Sequence, residues 1–283
     1  MFRHNFHTHT NYCDGSAPPE AYIQAAIKAG FLSLGFSSHA PVPLDNHFAI
    51  SDEKSLSNYC QEINSLKAAY AHQIQIYLGI EADYIPGDSY DFEKFRKEYE
   101  IEYIIGSVHL VKNEWGKLWF IDGPKKESWK DGLNKGYAGN IRQAVTAYYE
   151  QIISMIETQK PDIIGHLDKV KMHNQNEYFR EDEKWYRSLI SKVLDHIAQS
   201  GCIVEVNTRG LYKKRSDSLF PGIAVIREMY DRNIPVTISS DAHRPEEINS
   251  MQQHAVNSLL EAGYRDVLIF EKGEWVKVSL QGD

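Results

Sequence analysis

Residues 2–10 read FRHNFHTHT, in which a short predicted strand, Phe2–Phe6, runs directly into His7 and His9. The two histidines are separated by one residue. A period of two places both imidazoles on the same face of an extended chain, where they can bind one metal ion together. An ordinary half-buried strand alternates in the same way. The pair therefore indicates a metal site only if other strands also end in metal-binding residue types.

Six more short apolar runs follow, separated by longer amphipathic or charged stretches, which is typical of repeated βα units and a parallel sheet. The predicted strands are Phe2–Phe6, Ser33–Phe36, Gln75–Ile80, Tyr103–Ser107, Asp162–Gly165, Ile203–Val206 and Val236–Ser239. The predicted helices are Pro19–Ala29, Asp52–Ala71, Asn140–Thr158, Asp182–Gln199, Gly222–Asp231 and Pro245–Ala262, with a closing hairpin over Val267–Leu280. Seven such units in 283 residues predict an α/β fold with a closed or nearly closed barrel, formed as one domain over residues 1–283.

The ends of these strands carry the residue types that bind metals. Every predicted strand but one runs into a His, Asp or Glu, and the exception ends in Asn207. In a βα barrel all carboxyl ends of strands lie on one face, so these side chains are predicted to converge. A mixture of imidazoles and carboxylates without thiolates suits Zn, Mn or Fe. Taken singly, each has another interpretation: a lone His39 is more often a packing residue, and Ser240–His243 can cap the next helix.

The composition narrows the class of protein. The formal net charge of -8 disfavours a protein that binds nucleic acid without sequence preference, and a small polar substrate fits better. Cys13, Cys60 and Cys202 are odd in number and widely spaced, which suits reduced thiols. The start of the chain lacks the apolar core of a signal peptide, and no stretch is long enough for a membrane span. We therefore expect a cytoplasmic protein.

The ordered set of strand-end motifs, from residue 2 to about residue 247, resembles one known family. These motifs are His7-Thr8-His9, Asp14-Gly15, Ser38-His39, Gly79-Ile80-Glu81, Ser107-Val108-His109, Gly165-His166-Leu167-Asp168 and Ser240-Asp241-Ala242-His243. The chain resembles the polymerase-and-histidinol-phosphatase (PHP) superfamily, and within it the histidinol-phosphate phosphatases. The resemblance implies a distorted (β/α)7 TIM-like barrel that holds two or three divalent ions.

The same resemblance implies which side chains bind each metal. A first metal is expected on His7, His9, Glu81 and Asp241, and a second on Glu81, His109 and His166, with Glu81 as the bridge. A third is expected on Asp14, His39 and His243. Many relatives have a histidine where this chain has Asp14, so the third position departs from the family pattern.

The implied reaction is hydrolysis of L-histidinol phosphate, a step in histidine biosynthesis, by a hydroxide that bridges two metals. Arg209 resembles the arginine that meets the substrate phosphate in this branch, and its planar fork of donors suits two phosphate oxygens. Asn207, Arg244 and His47 are further candidates for substrate binding, the last on the loop of residues 40–48. The leaving alkoxide can take its proton from Asp168, from His243 or from metal-bound water.

A long polar stretch, residues 112–136, is predicted as a loop on the active face. Its aromatic residues either stack on a substrate ring or fasten the loop to the barrel.

Three other functions stay open from the sequence. A PHP phosphatase acting on phosphotyrosine or nucleotides would share the metal ligands. A non-catalytic metal-binding module is a second alternative. An amidohydrolase-type barrel is the third, although such sites usually include a bridging lysine at a strand end, and none of the seven predicted strand ends supplies one.

Overall fold

A computed structural model describes residues 2–281 and shows a central sheet surrounded by helices. The strands are β1 (His4–Asn5), β2 (Ser33–Phe36), β3 (Gln75–Asp83), β4 (Tyr103–Ser107), β5 (Leu110–Lys112), β6 (Leu118–Phe120), β7 (Ile163–Ile164), β8 (Ile203–Asn207), β9 (Val236–Ser239), β10 (Asp266–Glu271) and β11 (Glu274–Ser279). The α-helices are α1 (Pro19–Lys28), α2 (Glu53–Ala69), α3 (Phe92–Tyr99), α4 (Lys126–Tyr137), α5 (Ile141–Gln159), α6 (Lys184–Ser200), α7 (Arg209–Tyr212), α8 (Ile223–Asp231) and α9 (Gln252–Ala262).

The seven predicted strands form one parallel sheet in the order β1-β2-β3-β4-β7-β8-β9. Its two edges meet beyond the end of β1, where Thr8 forms a parallel bridge to Ala242. The His9 amide donates to the Ala242 carbonyl at 2.8 Å, and the Ala242 amide donates to the His7 carbonyl at 3.2 Å. The predicted seven-stranded barrel is therefore confirmed, and its closing contact lies at the carboxyl ends of the strands.

The interior of the barrel is filled by aromatic and aliphatic side chains around Tyr103. Its hydroxyl donates to the carbonyls of Phe6, at 2.6 Å, and Phe36, at 3.1 Å. The predicted closing hairpin is confirmed as β10 and β11, and its Phe270 and Trp275 both pack against Tyr103 with ring centroids 5.9 Å apart. Because the hairpin covers the amino-terminal end of the barrel, the carboxyl-terminal end is the open one.

Space for the Tyr103 ring depends on glycine in the neighbouring strand, since a Cβ on Gly79 would overlap that ring. We expect Gly79→Ala to lower the free energy of unfolding by about 1–3 kcal/mol, the usual cost of overpacking a tight core. Gly136→Ala is the matched control, because in α4 the nearest atom to an added Cβ is 3.8 Å away. Denaturant unfolding of both variants checks this, and equal stability of the two would contradict it.

Residues 112–136 differ from the predicted loop. They form the end of β5, the hairpin strand β6 and most of helix α4. Trp119 and Trp129 are fully buried with centroids 5.2 Å apart, and the Trp119 indole donates to the Trp129 carbonyl at 3.0 Å. Burial of these rings fastens the segment to the barrel and orders it.

Helices α3 and α7 were not predicted, and the predicted helix over 245–262 is interrupted. A short 3-10 turn, Pro245–Glu247, is followed by Met251 at φ 58°, so α9 begins only at Gln252. Among residues 2–281, no helix combines the length and apolar character needed to cross a membrane.

Candidate active site

All nine predicted metal ligands lie together at the carboxyl end of the barrel. Their donor atoms form three groups that correspond to the predicted sets, except that Asp241 is not in the first group and His9 joins the third. A fourth group adds Asp83 to His39 and His109. Glu81 stands at the centre of these groups, at the carboxyl-terminal part of β3, with five histidine side chains within 3.6 Å of its carboxylate oxygens. The sequence prediction of converging strand ends thus describes the arrangement well.

The first group joins β1, β3 and the residues after β9. His7 Nε2 and His9 Nε2 are 3.0 Å apart, and Glu81 Oε2 lies 3.2 Å from the former and 3.3 Å from the latter. Asp241 Oδ1 is 3.4 Å from His9 Nε2. All four side chains are buried.

The second group uses the other oxygen of the same carboxylate. Glu81 Oε1 lies 3.0 Å from His166 Nε2 and 3.6 Å from His109 Nε2. The two imidazole nitrogens are 3.1 Å apart. Since Oε2 faces the first group and Oε1 the second, Glu81 would offer one oxygen to an ion in each group.

The third group is more open to solvent. Asp14 Oδ1 is 3.2 Å from His243 Nε2, 3.9 Å from His39 Nε2 and 3.7 Å from His9 Nδ1. The Asp14 side chain is 35% exposed, whereas every ligand of the other two groups is buried. An ion held here would therefore be the one most accessible to a substrate.

The donor atoms fit divalent metals. Two ligands of one tetrahedral Zn, each about 2.0–2.1 Å from the ion, lie about 3.3 Å apart. In the first group the distances run from 3.0 to 3.8 Å. His39 Nδ1 and Asp83 Oδ2 are buried and have no hydrogen-bond partner within residues 2–281, and buried polar atoms of this kind call for an ion or a water.

Electrostatics hold Glu81 and His9 in the protonation states that bind metals, whereas at His7 and His109 the neighbouring carboxylates outweigh burial and raise the pKa. Burial alone would raise the pKa of Glu81, but His39, His7 and His109 outweigh it and hold this pKa well below its usual value. Burial, reinforced by His243 and His39, lowers the pKa of His9 well below its usual value. A charged carboxylate beside a neutral imidazole is the form that a divalent ion requires.

Two of the predicted ligands have strained backbones. His166 has φ 24° and Asp241 has φ 51°, which are unusual for residues other than glycine. Such conformations cost about 1–3 kcal/mol each and persist where the surroundings fix them. The His166 amide donates to Glu205 Oε1 at 2.7 Å, and the Asp241 carbonyl accepts from Arg209 Nη1 at 2.7 Å. These contacts hold both side chains toward the cluster.

A cavity of about 750 Å³ opens above the cluster. Lys169, Arg209 and Arg215 line it, together with His47. Arg209 and His47 were predicted to bind substrate and are placed where they can do so. Lys169 and Arg215 are additional cations, and Lys169 Nζ lies 2.8 Å from Asp122 Oδ2.

Two other predicted substrate-binding residues do not line the cavity. Asn207 is buried below it, where Nδ2 donates to Glu205 Oε1 at 2.9 Å and to Asp241 Oδ2 at 3.2 Å. Arg244 is exposed and lies outside the cavity lining. The geometry thus favours a supporting role for Asn207 and a solvated position for Arg244.

The structure also corrects the placement of Asp168, predicted as a proton donor. This side chain is fully buried and does not line the cavity. Its Oδ2 lies 2.7 Å from Lys171 Nζ and accepts from the Gly222 amide at 2.9 Å. Asp168 thus joins the turn after β7 to the start of α8, which favours a structural role. His243 does line the cavity.

Comparison with known proteins agrees with this geometry. A family model described as the PHP domain matches residues 5–209, well over half of the chain. The chain belongs to the PHP domain family. The probable histidinol-phosphatase of Deinococcus radiodurans is 30% identical over 264 residues, which are 92% of this chain and 94% of that protein. This similarity places the chain in the histidinol-phosphatase branch.

Two solved structures share the PHP fold seen here. The HisK protein of Listeria monocytogenes has 23% identity and a TM-score of 0.79, covering 89% of this chain and 99% of its own. The histidinol phosphate phosphatase of Lactococcus lactis, solved with zinc, L-histidinol and phosphate, has 19% identity and a TM-score of 0.68, covering 97% and 99%. At these identities the likeness shows the fold.

Two carboxylates behind the predicted ligands were missed from the sequence. Asp83 Oδ1 lies 2.8 Å from His109 Nδ1 and accepts from the His109 amide at 3.0 Å. Glu205 Oε2 lies 2.8 Å from His7 Nδ1 and accepts from Ser239 Oγ at 2.6 Å. Such partners fix the orientation and tautomer of a metal-binding histidine. Both carboxylates lie two residues from a predicted site residue, Glu81 or Asn207, and the period of two along a strand could have revealed them.

We expect Glu205→Gln to lower metal affinity about 10- to 100-fold, because all four acceptor positions of this carboxylate are used. In either orientation of the glutamine side chain, its NH2 group would face hydrogen-bond donors. These are His7 and Ser239 in one orientation, and His166 and Asn207 in the other. Metal content per chain, measured by mass spectrometry after dialysis, checks this result. Activity should recover in part with excess metal. Full metal content in the dialysed variant would contradict the assigned role.

Proposed function

We propose that this protein is a metal-dependent phosphomonoesterase that hydrolyses L-histidinol phosphate to L-histidinol and phosphate. The observation that carries the proposal is the central position of Glu81, whose two oxygens face two separate groups of imidazoles below a cavity with three cationic side chains. The histidinol-phosphatase relatives support the substrate, and the Lactococcus lactis protein was solved with L-histidinol and phosphate.

We propose that two or three divalent ions, of zinc, manganese or iron, bind here in the three groups described above. The Lactococcus lactis protein was solved with zinc. Such ions supply hydroxide near neutral pH and neutralise the charge of a phosphate dianion, which otherwise repels an anionic nucleophile. With hydroxide available, no side chain of the protein has to act as the nucleophile.

The protein's own side chains bind and orient the ester. Arg209 Nη1 is held by the Asp241 carbonyl, while within residues 2–281 its Nη2 donates to no acceptor. That nitrogen is therefore free to donate to a phosphate oxygen in the cavity. Arg215 lines the same walls, as does Lys169, whose charge is paired with Asp122 at 2.8 Å. Of the two side chains predicted as proton donors, His243 is the one that lines the cavity.

We further propose that the protein acts on this small molecule in the cytoplasm, as one domain over residues 1–283. Free Cys13, Cys60 and Cys202 support a reducing compartment. A single large cluster of buried side chains, extending from Tyr22 to Val267, supports one domain.

The test of the substrate is a comparison of kcat/KM for L-histidinol phosphate, phosphotyrosine, AMP and p-nitrophenyl phosphate, with protein purified in the presence of Mn²⁺. We expect a strong preference for L-histidinol phosphate. Equal kcat/KM values for all four esters would contradict the substrate assignment, while the assignment as a metal-dependent phosphatase would stand. A metal-loaded protein that hydrolyses none of them would favour the non-catalytic metal-binding module.

A further inference from the structure

The walls of the cavity are not all charged. Phe48 and Phe120 line it on one side, with ring centroids 6.0 Å apart and planes at 22°. They come from two segments outside the barrel, the loop that follows His39 and the β5–β6 hairpin. Phe48 also meets the His39 ring edge to face, with centroids 5.2 Å apart at 80°. We call Phe48 and Phe120 the aromatic wall, and it begins directly beside a metal-binding side chain.

Each ring is held in place by its own segment. Asn46 Oδ1 accepts from the amides of Phe48, at 3.2 Å, and Ala49, at 2.8 Å, which folds the loop into a turn. Phe120 pairs with Leu110 in the hairpin, and a Cβ on Gly123 would lie 3.1 Å from its ring. The aromatic wall is therefore part of a built surface.

The fold itself gains little from leaving these rings accessible. Phe120 is 36% exposed, whereas Trp119 beside it on the same strand is fully buried. An apolar surface kept open in a cavity with a few convergent polar groups is typical of a ligand site. At the floor of the cavity, the predicted metal-binding residues together with Lys169 and Arg209 suit an anionic group. The aromatic wall suits a flat ring at the other end of the same bound molecule.

We propose that the aromatic wall is the subsite for the imidazole ring of the substrate and determines specificity for it, an inference that rests on the proposed function. The phosphate binds at the floor of the cavity, and the ring packs against Phe48 and Phe120. The wall sets which ester binds well and takes no part in the bond-breaking step.

The experiment compares L-histidinol phosphate with O-phosphoethanolamine, which keeps the phosphate and the ammonium group and lacks the imidazolylmethyl group. We measure kcat and KM of both esters for the metal-loaded wild type, Phe48→Leu and Phe120→Leu. The expected result is a fall of about tenfold in the selectivity ratio, the quotient of the two kcat/KM values, mainly through a higher KM for L-histidinol phosphate. Trp115→Leu is the matched control, because Trp115 is an aromatic residue of the same hairpin, is 67% exposed and lies outside this cavity.

The outcomes separate the inference from the proposed function. Selectivity that stays at the wild-type value in both variants, or falls equally in Trp115→Leu, would overturn the aromatic wall while the phosphatase assignment stands. A fall in kcat/KM that is equal for the two esters would also overturn it, because a merely structural role acts on both. A wild type that does not hydrolyse L-histidinol phosphate would overturn the proposed function and the wall together.

Discussion

Glu81→Gln is expected to lower kcat/KM for L-histidinol phosphate by at least about 1,000-fold, the largest effect of any single substitution in this site. Gln has the same shape, and its carbonyl oxygen can still accept from Ser107 Oγ, which lies 2.6 Å from Glu81 Oε1. The change therefore removes the charge more than the packing. Without it, two cations would approach each other with no shared anion between them, and we expect the metal content per chain to fall as well.

Glu102→Gln is the matched control for this variant. Glu102 pairs with Lys67 at 2.7 Å and accepts from the Leu78 amide at 2.7 Å, outside the metal-binding cluster. Kinetics, metal analysis and thermal unfolding of both variants separate loss of the site from loss of the fold. A folded Glu81→Gln protein with near wild-type activity would contradict the bridging role.

Arg209→Ala is expected to lower kcat/KM by about 100-fold, the usual cost of removing a donor that stabilises charge in a transition state. Arg209→Lys should recover only part of this loss, because lysine keeps the charge and lacks the planar fork. Loss of the contact with the Asp241 carbonyl adds to the effect, since Asp241 is itself a predicted metal ligand.

The neighbouring cation Arg244 provides the control for Arg209. It was a candidate from the sequence because it follows His243 directly, but it is exposed and does not line the cavity. Arg244→Ala should therefore keep kcat/KM close to the wild-type value. A large loss in Arg244→Ala together with a small one in Arg209→Ala would reverse the assignment of the phosphate-binding arginine.

The barrel was predictable because its strands are buried on both faces and read as short apolar runs. Ser33–Phe36, Tyr103–Ser107 and Val236–Ser239 begin and end at the predicted residues. Strand β3 continues to Asp83, three residues beyond its predicted end at Ile80. The predicted strand ended before its first charged residue, Glu81. Glu81 and Asp83 are nevertheless buried within β3, because histidines surround them.

The convergence of the predicted metal ligands could be predicted because parallel strands bring their carboxyl ends to one face. The carboxylates that orient these ligands were harder to predict. Glu205 lies inside an apolar strand, and its partners, His7 and the His166 amide, are remote in sequence. No local pattern fixes Lys169 or Arg215, because both reach the cavity from segments outside the regular strands. Positions within such segments follow from tertiary packing.

The structure of residues 112–136 also depends on tertiary packing and could not be predicted from the local sequence. Their polar composition predicted a loop, yet two tryptophans ten residues apart bury each other and order a hairpin and a helix. Phe120 belongs to the same segment, and its ring lines the cavity. A contact between this ring and the substrate therefore stays a prediction.

The most direct measurement of the central claim is phosphate release from L-histidinol phosphate by chelated protein titrated with Mn²⁺, with bound metal per chain determined at each point. We predict no hydrolysis without metal and a rise in rate that levels off at two or three bound ions per chain. Hydrolysis that persists in metal-free protein, or a fully loaded protein that releases no phosphate, would contradict the claim that these histidines and carboxylates form a metal-dependent phosphatase site.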